Sequence, residues 1–319
     1  MEEMDKWNKT TSIQVTEFIL MGITDRPDLQ IPLFFVFLIN YLAIVFGNLG
    51  LIILTNIDSH LKTPMYFFLR NLAFIDLGYS TAIGPKMLAN FVVEENVISY
   101  TECAIQLVIF VTLIISELFI LSVMAYDRYV AICNPLLYMV IMSDRMCYLL
   151  VAIPYLYSTF VALLVTIMIF NSSFWKSNII RHFYCDSLPL LNILSSDTKD
   201  IALIILSLSA FNLVFSLLVV LVSYGLILMA ILRMKSAEGR HKAFSTCGSH
   251  LTVVVVFYGT LLFMYLQPHS SHSFDTDKMA SVFYTLVIPM LNPLIYSLRN
   301  KEVKGALKRA LESQCKCLT

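Results

Sequence analysis

"MAYDRYVAIC", residues Met124 to Cys133, sets an acid beside a base, Asp127 and Arg128, where a long apolar run ends. The run begins near Cys103 and holds one acid, Glu117, before Tyr126. As one helix rising about 1.5 Å per residue it puts Arg128 about 37 Å from Cys103, at the far mouth of a membrane. Charge costs far less there than at mid-bilayer. Residue types alone explain the pair as an interfacial arginine that snorkels to water and is neutralised by its neighbour. Whether it does more depends on the rest of the chain.

Of 319 residues, 58% are hydrophobic and 14% charged, where a soluble domain is roughly a quarter charged. That balance points to a membrane protein. Twenty-two Lys+Arg against 22 Asp+Glu give no net charge, so the total supplies no argument for nucleic acid. Seven cysteines include no zinc-like CxxC pair and cannot all pair among themselves. The polar, acidic start MEEMDKWNKTTSIQ lacks the basic and apolar regions of a cleavable signal, so the first apolar span targets the chain.

Crossing the hydrocarbon takes about 20 apolar helical residues, and seven segments qualify: Gln30–Ile57, Thr63–Ile83, Cys103–Tyr126, Met146–Phe170, Ile201–Leu232, Ala243–Gln267 and Met279–Leu298. Only the second, with Arg70 and Asp76, and the third, with Glu117, carry charge. With the amino terminus outside, Lys and Arg number eight outside and fourteen inside, while the acids run the other way. The positive-inside rule therefore selects an extracellular amino terminus and a cytoplasmic tail. Asn8 of the sequon Asn8-Lys9-Thr10 is then lumenal during synthesis and a glycosylation candidate. Asn171, which also heads a sequon, abuts the fourth span too closely to be a good acceptor.

No 20–50-residue repeat or linker divides the chain. It divides into an external segment, 1–28, a bundle, 29–298, and a tail, 299–319, with Val303, Leu307 and Leu311 spaced by four among Lys301, Lys304, Lys308 and Arg309. That spacing predicts a short amphipathic helix along the inner leaflet. Cys315 and Cys317 beyond it either carry palmitate or end a plain polar tail. The predicted fold is an all-α membrane protein, a seven-transmembrane helix bundle with that eighth helix.

Further motifs lie outward from MAYDRYVAIC: Gly47-Asn48 in the first span, "LKTPMYFFLRNLAFID" ending at Asp76, "KAFSTCGSH" at Lys242–His250 and "PMLNPLIYSLRN" at Pro289–Asn300. Together they resemble the rhodopsin-like G-protein-coupled receptors, specifically the odorant receptor branch, over roughly Phe18 to Leu311. The resemblance implies that Asp127 restrains Arg128 at rest and that activation frees the guanidinium to help form a G-protein cavity. It implies that Asn292 and Pro293 kink the seventh span, that Tyr296 swings inward, and that Tyr224 in the fifth span is an inner-side partner. It also implies that Asp76, Glu117 and Asn292 converge on a sodium ion; the alternative is one protonated, hydrogen-bonded carboxyl.

Outside, the resemblance pairs Cys103 with Cys185. A second cysteine pair common in the branch is missing, its positions reading Trp175 and Ser195, which leaves the shape of the second external loop open. His182, Cys185 and Asp186 match a metal-binding signature of the branch, but a disulfide would consume Cys185. Singly, each apolar residue on the outer half of the third span is ordinary helix packing. By resemblance, Phe110, Val111, Ile114 and Ile115 line a ligand cavity with Leu208, Ser209 and Asn212, Tyr258, Leu261, Leu262 and Tyr265, and Val282 and Thr285. Such a cavity suits a small, neutral, largely hydrophobic molecule. No Asp near Phe110 could pair an amine, and Met279–Leu298 has no Lys for a retinal Schiff base.

The expected function is that of an odorant receptor in the cell membrane, in olfactory cilia, coupled to the olfactory stimulatory G protein and raising cyclic AMP. A related chemosensor outside the nose is the alternative. A transporter fits poorly, because no inverted repeat is visible. An enzyme fits poorly as well, because Ser249 and His250 are adjacent and so lie on different helical faces. A basic rim at the third cytoplasmic loop, Arg233–Arg240 with Lys242, would face the G protein or simply anchor the helices.

Overall fold

The computed structural model describes residues 16–24, 26–93, 96–171, 176–194, 198–266 and 274–317. Asn8, Trp175 and Ser195 lie outside them, as do the side chains of Tyr265, Lys242, Leu311, Cys315 and Cys317. In chain order the elements are β1 (Glu17–Leu20), α1 (Pro27–Ile57), α2 (Pro64–Ala89), β2 (Val97–Ser99) and α3 (Tyr100–Cys133), followed by α4 (Tyr138–Ile141), α5 (Asp144–Phe170), β3 (Ile179–Ile180) and α6 (Ser187–Asn192). α7 (Lys199–Arg233), α8 (Ala237–Leu266), α9 (Phe274–Val282), α10 (Ile288–Arg299) and α11 (Lys301–Cys317) complete the chain.

The seven spans are α1, α2, α3, α5, α7, α8 and the α9–α10 pair. Among the described residues, five are apolar and long enough to cross a membrane by composition alone: α1, α3, α5, α7 and Lys278–Ser297. α2 is more polar, while α8 contributes the apolar stretch Cys247–Leu262 among its described residues. α2 carries Arg70, Asp76 and Lys86, with Asp76 fully buried, and α8 begins in the charged third cytoplasmic loop. Along α1, Ile31, Phe35, Ile39, Leu42, Phe46, Leu49 and Ile53 are exposed at three- and four-residue spacing, the face a bilayer covers.

Local chemistry sets the helix starts. Proline opens α1 and α2, where a missing N–H costs nothing. α3 opens with a capping box in which the Ser99 hydroxyl accepts from the Glu102 N–H and the Glu102 carboxylate accepts from the Ser99 N–H. α3 then runs through the centre, packed on α2, α5 and α7.

Sequence patterning did not reveal a small external sheet in the order β2-β1-β3, so the fold is not purely helical. β1 pairs antiparallel with β2 and parallel with β3, burying Phe18 and Leu20 completely. The amino-terminal segment is thereby stitched between the first and second external loops. The alternation Glu17-Phe18-Ile19-Leu20 carried that signal, but four residues are too few to separate it from loop.

The seventh span is broken. Residues Phe283–Val287 form a π-helical turn between α9 and α10, and Pro289 and Pro293 follow, each removing a backbone donor. Side chains of α1 and α2 take over the bonds. Ser80 Oγ donates to the Thr285 carbonyl at 3.0 Å and Tyr79 Oη to that of Tyr284 at 3.2 Å. Asn48 Nδ2 donates to the Pro289 carbonyl at 3.0 Å. Gly47 is required for the close approach, since a Cβ there would meet Pro293 Cγ at 2.9 Å. The Gly47-Asn48 motif is thus a socket for the broken helix.

Candidate functional site

Three layers stack down the bundle axis. The outer one is built by α3, α9 and the second external loop. The Cys103–Cys185 disulfide, Cα to Cα 5.6 Å, ties the loop to the head of α3, and Gln106 reinforces it, accepting from the Cys185 N–H at 2.9 Å while donating to the Ala82 carbonyl. His182, Phe183 and Tyr184 then turn inward and are all buried. Tyr184 lies 5.1 Å, ring to ring, from Phe110, whose other neighbours are Tyr284 at 6.1 Å and Tyr79 at 6.4 Å. The Tyr184 and Tyr284 hydroxyls are 2.8 Å apart, and Ser281 Oγ lies 2.9 Å from Tyr284 Oη. Burial pushes the Tyr184 phenol well above its usual range, with the nearby Asp186 acting in the same direction, so it stays a neutral hydrogen-bonding group.

Phe110, Tyr258 and Val282 share one apolar cluster with the flanking Val111, Ile114, Leu261 and Leu262. Ile115 faces a second cluster, against Val161 and Val165 of α5, with Leu208 at its edge; helix rotation turns it from the Phe110 face. Ser209 is half-buried. Two polar residues expected to face a ligand are engaged elsewhere: the Thr285 hydroxyl donates to the Ser281 carbonyl at 2.7 Å, and Asn212 Oδ1 accepts from Tyr157 at 2.8 Å. Tyr258 donates to the Leu118 carbonyl at 3.2 Å and so holds α8 to α3.

The middle layer holds the buried acids. Asn292 Nδ2 donates to Asp76 Oδ2 at 2.9 Å, and the Tyr79 hydroxyl, whose single proton is shared with the Tyr284 carbonyl, lies 3.3 Å from Asp76 Oδ1. Glu117 is fully buried beside Asp76, yet neither of its oxygens completes a hydrogen bond. Two enclosed carboxyls, one unpaired, with hydroxyl and amide groups around them, form an oxygen-rich set suited to a hard cation. The metal signature at His182, Cys185 and Asp186 is not assembled: Cys185 is in the disulfide and Asp186 caps α6, accepting from the Ser187 N–H at 2.7 Å.

At the cytoplasmic end Asp127 departs from expectation. Its Oδ1 accepts from Tyr138 of α4 at 2.8 Å, and no contact ion pair with Arg128 forms. Adjacent residues on a helix point to different faces, so the acid reaches the second cytoplasmic loop and the guanidinium turns toward the core. Arg128 Nε and Tyr296 Oη are buried without hydrogen-bond partners. Tyr224 Oη lies 2.6 Å from His250 Nδ1, its ring stacked on the imidazole. α11 docks as the expected eighth helix. Arg309 donates to Asp58 at 2.8 Å and Tyr66 to Glu302 at 2.6 Å.

Of the residues missed from sequence, Tyr138, His250, Tyr79 and Tyr284 act through partners on other elements, which no local pattern specifies. The triplet His182-Phe183-Tyr184 next to Cys185 did carry a signal, three large rings where a solvated loop should be polar.

Comparison with known proteins agrees with this architecture. Residues 37–314 match the family described as "Olfactory receptor". Human Olfactory receptor 8K3 is 69% identical over 312 residues, covering 98% of this chain and 99% of the relative. Mouse Olfactory receptor 8U3 is 60% identical over 298 residues, 93% of each. The crystal structure of squid rhodopsin superposes with a TM-score of 0.69 at 18% identity, over 92% of this chain and 88% of that one, a likeness of fold. The chain is a multi-pass membrane protein of rhodopsin-like fold and belongs to the olfactory receptor family, whose members are receptors and not enzymes.

Proposed function

We propose that this chain binds a small, largely hydrophobic odorant in the outer layer and thereby activates the olfactory stimulatory G protein, raising cyclic AMP, in the ciliary membrane of olfactory neurons. The observation that carries it is the contact of Phe110 with Tyr284. Tyr284 belongs to the π-helical turn, so a ligand that displaces Phe110 presses on a stretch of the seventh span whose carbonyls are held by side chains of α2. Below that turn the same helix carries Asn292, bonded to Asp76, and Tyr296 beside the Arg128 layer. Repacking at the top thus biases the bottom, and a ligand with differential affinity for the two arrangements shifts their populations. Release of the Tyr258–Leu118 bond would free α8 to move outward.

The Asp76, Glu117 and Asn292 cluster would hold a sodium ion in the resting state, Glu117 supplying its unpaired oxygens. The bound ion would supply counter-charge to both carboxyls and favour the arrangement in which α2, α3 and α10 are close.

The test is cyclic AMP in cells carrying the olfactory G protein, over a broad odorant panel, with Arg128→Ala at matched surface amount. A ligand-dependent rise that is lost in the variant is expected; a rise that persists in Arg128→Ala would remove Arg128 from the proposed role.

A further inference from the structure

Lys278 lies in α9 one residue before the apolar stretch that begins at Met279, and the residue is only 7% exposed. Its ammonium makes no hydrogen bond or ion pair among the described residues. The stem of Lys278 is thus packed against its neighbours, and its charge is left for a ligand to use. Lys278, Ser281 and Val282 recur at i, i+3 and i+4, on one face of the helix, and that face looks toward His182 of the second external loop. His182 is 3% exposed, with Nε2 3.1 Å from Ser281 Oγ and Nδ1 unpaired. Burial, then the Lys278 charge, push this imidazole down to about 3, so it is neutral and carries one N–H. When Nε2 accepts from the Ser281 hydroxyl, that proton sits on Nδ1. The described acid in this loop, Asp186, is committed to capping α6; the side chains of Asp275 and Asp277 lie outside the described residues.

We propose that Lys278 and His182 receive the carboxylate of an acid-ended odorant, whose hydrocarbon chain lies against Phe110 and Val282. Lys278 supplies the charge and His182 Nδ1–H a directed donor, while the cluster beneath them is apolar. This rests on the odorant-receptor function just proposed and names its ligand class. The expectation of an uncharged ligand came from the apolar lining and counted Lys278 as external; in the structure its charge lies close enough to His182 to act on the imidazole.

The experiment uses the full-length receptor in lipid nanodiscs, read by thermal unfolding, and in cells, read by cyclic AMP. The probes are straight-chain carboxylic acids and the methyl esters of the same chains at neutral pH. Acids should raise the unfolding temperature more than their esters do. Lys278→Gln should raise the acid concentration required by about tenfold or more, the scale of a lost charge-assisted hydrogen bond, and leave the ester response unchanged. Lys278→Arg should retain most of the acid effect, and His182→Leu, a second variant with Lys278 in place, should weaken it. Esters that stabilise as well as acids, acid dependence unchanged in both Lys278→Gln and His182→Leu, or no stabilisation by any acid would each overturn the proposal. Acids that stabilise without raising cyclic AMP would uphold the site and count against coupling. Ester-driven cyclic AMP without an acid preference would uphold the receptor and overturn the site.

Discussion

Asn48 donates its side-chain amide to the carbonyl of Pro289 at 3.0 Å. That carbonyl is the one Pro293, four residues on, has no N–H to satisfy. Asn48 therefore replaces a backbone bond inside the membrane, where water cannot. Asn48→Leu should lower stability by about 1–3 kcal/mol, the cost of a buried unsatisfied acceptor. Thermal unfolding in nanodiscs checks this, and a cycle with Pro293→Ala gives it an internal control. Alanine in place of Pro293 would restore the backbone donor, so the double variant should lose less than the two single losses added together.

Tyr138 should act as a brake. Its hydrogen bond to Asp127 ties α3 to the second cytoplasmic loop, and Tyr138→Phe removes only the hydroxyl. A bond worth about 1 kcal/mol shifts a two-state equilibrium about fivefold, so basal cyclic AMP at matched surface amount should rise by up to that factor. Unchanged basal signal would mean that the contact holds the loop in both states.

Sodium should stabilise the receptor through the middle layer. Replacing sodium chloride with choline chloride at constant ionic strength should lower the unfolding temperature of the wild type. Asp76→Asn and Glu117→Gln should each abolish that difference. If Glu117→Gln retains the full sodium response, the unpaired Glu117 oxygens are not ligands and the alternative of a protonated carboxyl takes over.

Docking of α11 should depend on acid pH. Partial desolvation pushes Asp58 upward, but hydrogen bonds from the His60 N–H and from Arg309 outweigh it and hold the carboxyl below its usual range. A depressed folded-state pKa means that the contribution is complete above the unfolded value, about 4, and is lost as pH falls through the folded one. Spin-label distances between α11 and the first cytoplasmic loop should be constant from neutral pH to about 5 and lengthen below about 4. In Asp58→Asn the lengthening should already be present at neutral pH.

The spans, their orientation and the Cys103–Cys185 tie were legible in the sequence because bilayer thickness and charge asymmetry act on composition directly, and because the motifs around the two cysteines are those of the family. The amphipathic tail was legible because its period is local. What Asp127 touches was not, because its partner Tyr138 is placed by a loop whose path depends on packing. The break in the seventh span was half legible: Pro293 announced a kink, but the π-helical turn that precedes it depends on donors from Tyr79, Ser80 and Asn48, on other helices. The burial of Lys278 was hidden by the same limit, since a hydropathy boundary places residues only to within a turn.

The decisive measurement is guanine-nucleotide exchange on purified olfactory G protein by the purified receptor in nanodiscs, with and without an odorant found active in cells. Odorant should accelerate exchange in the wild type and fail to do so in Arg128→Ala of equal stability, while Phe110→Ala should lose the odorant dependence and keep basal exchange. Odorant that binds the folded wild-type receptor yet leaves exchange at its basal rate would contradict coupling from the Phe110–Tyr284 contact to the Arg128 layer.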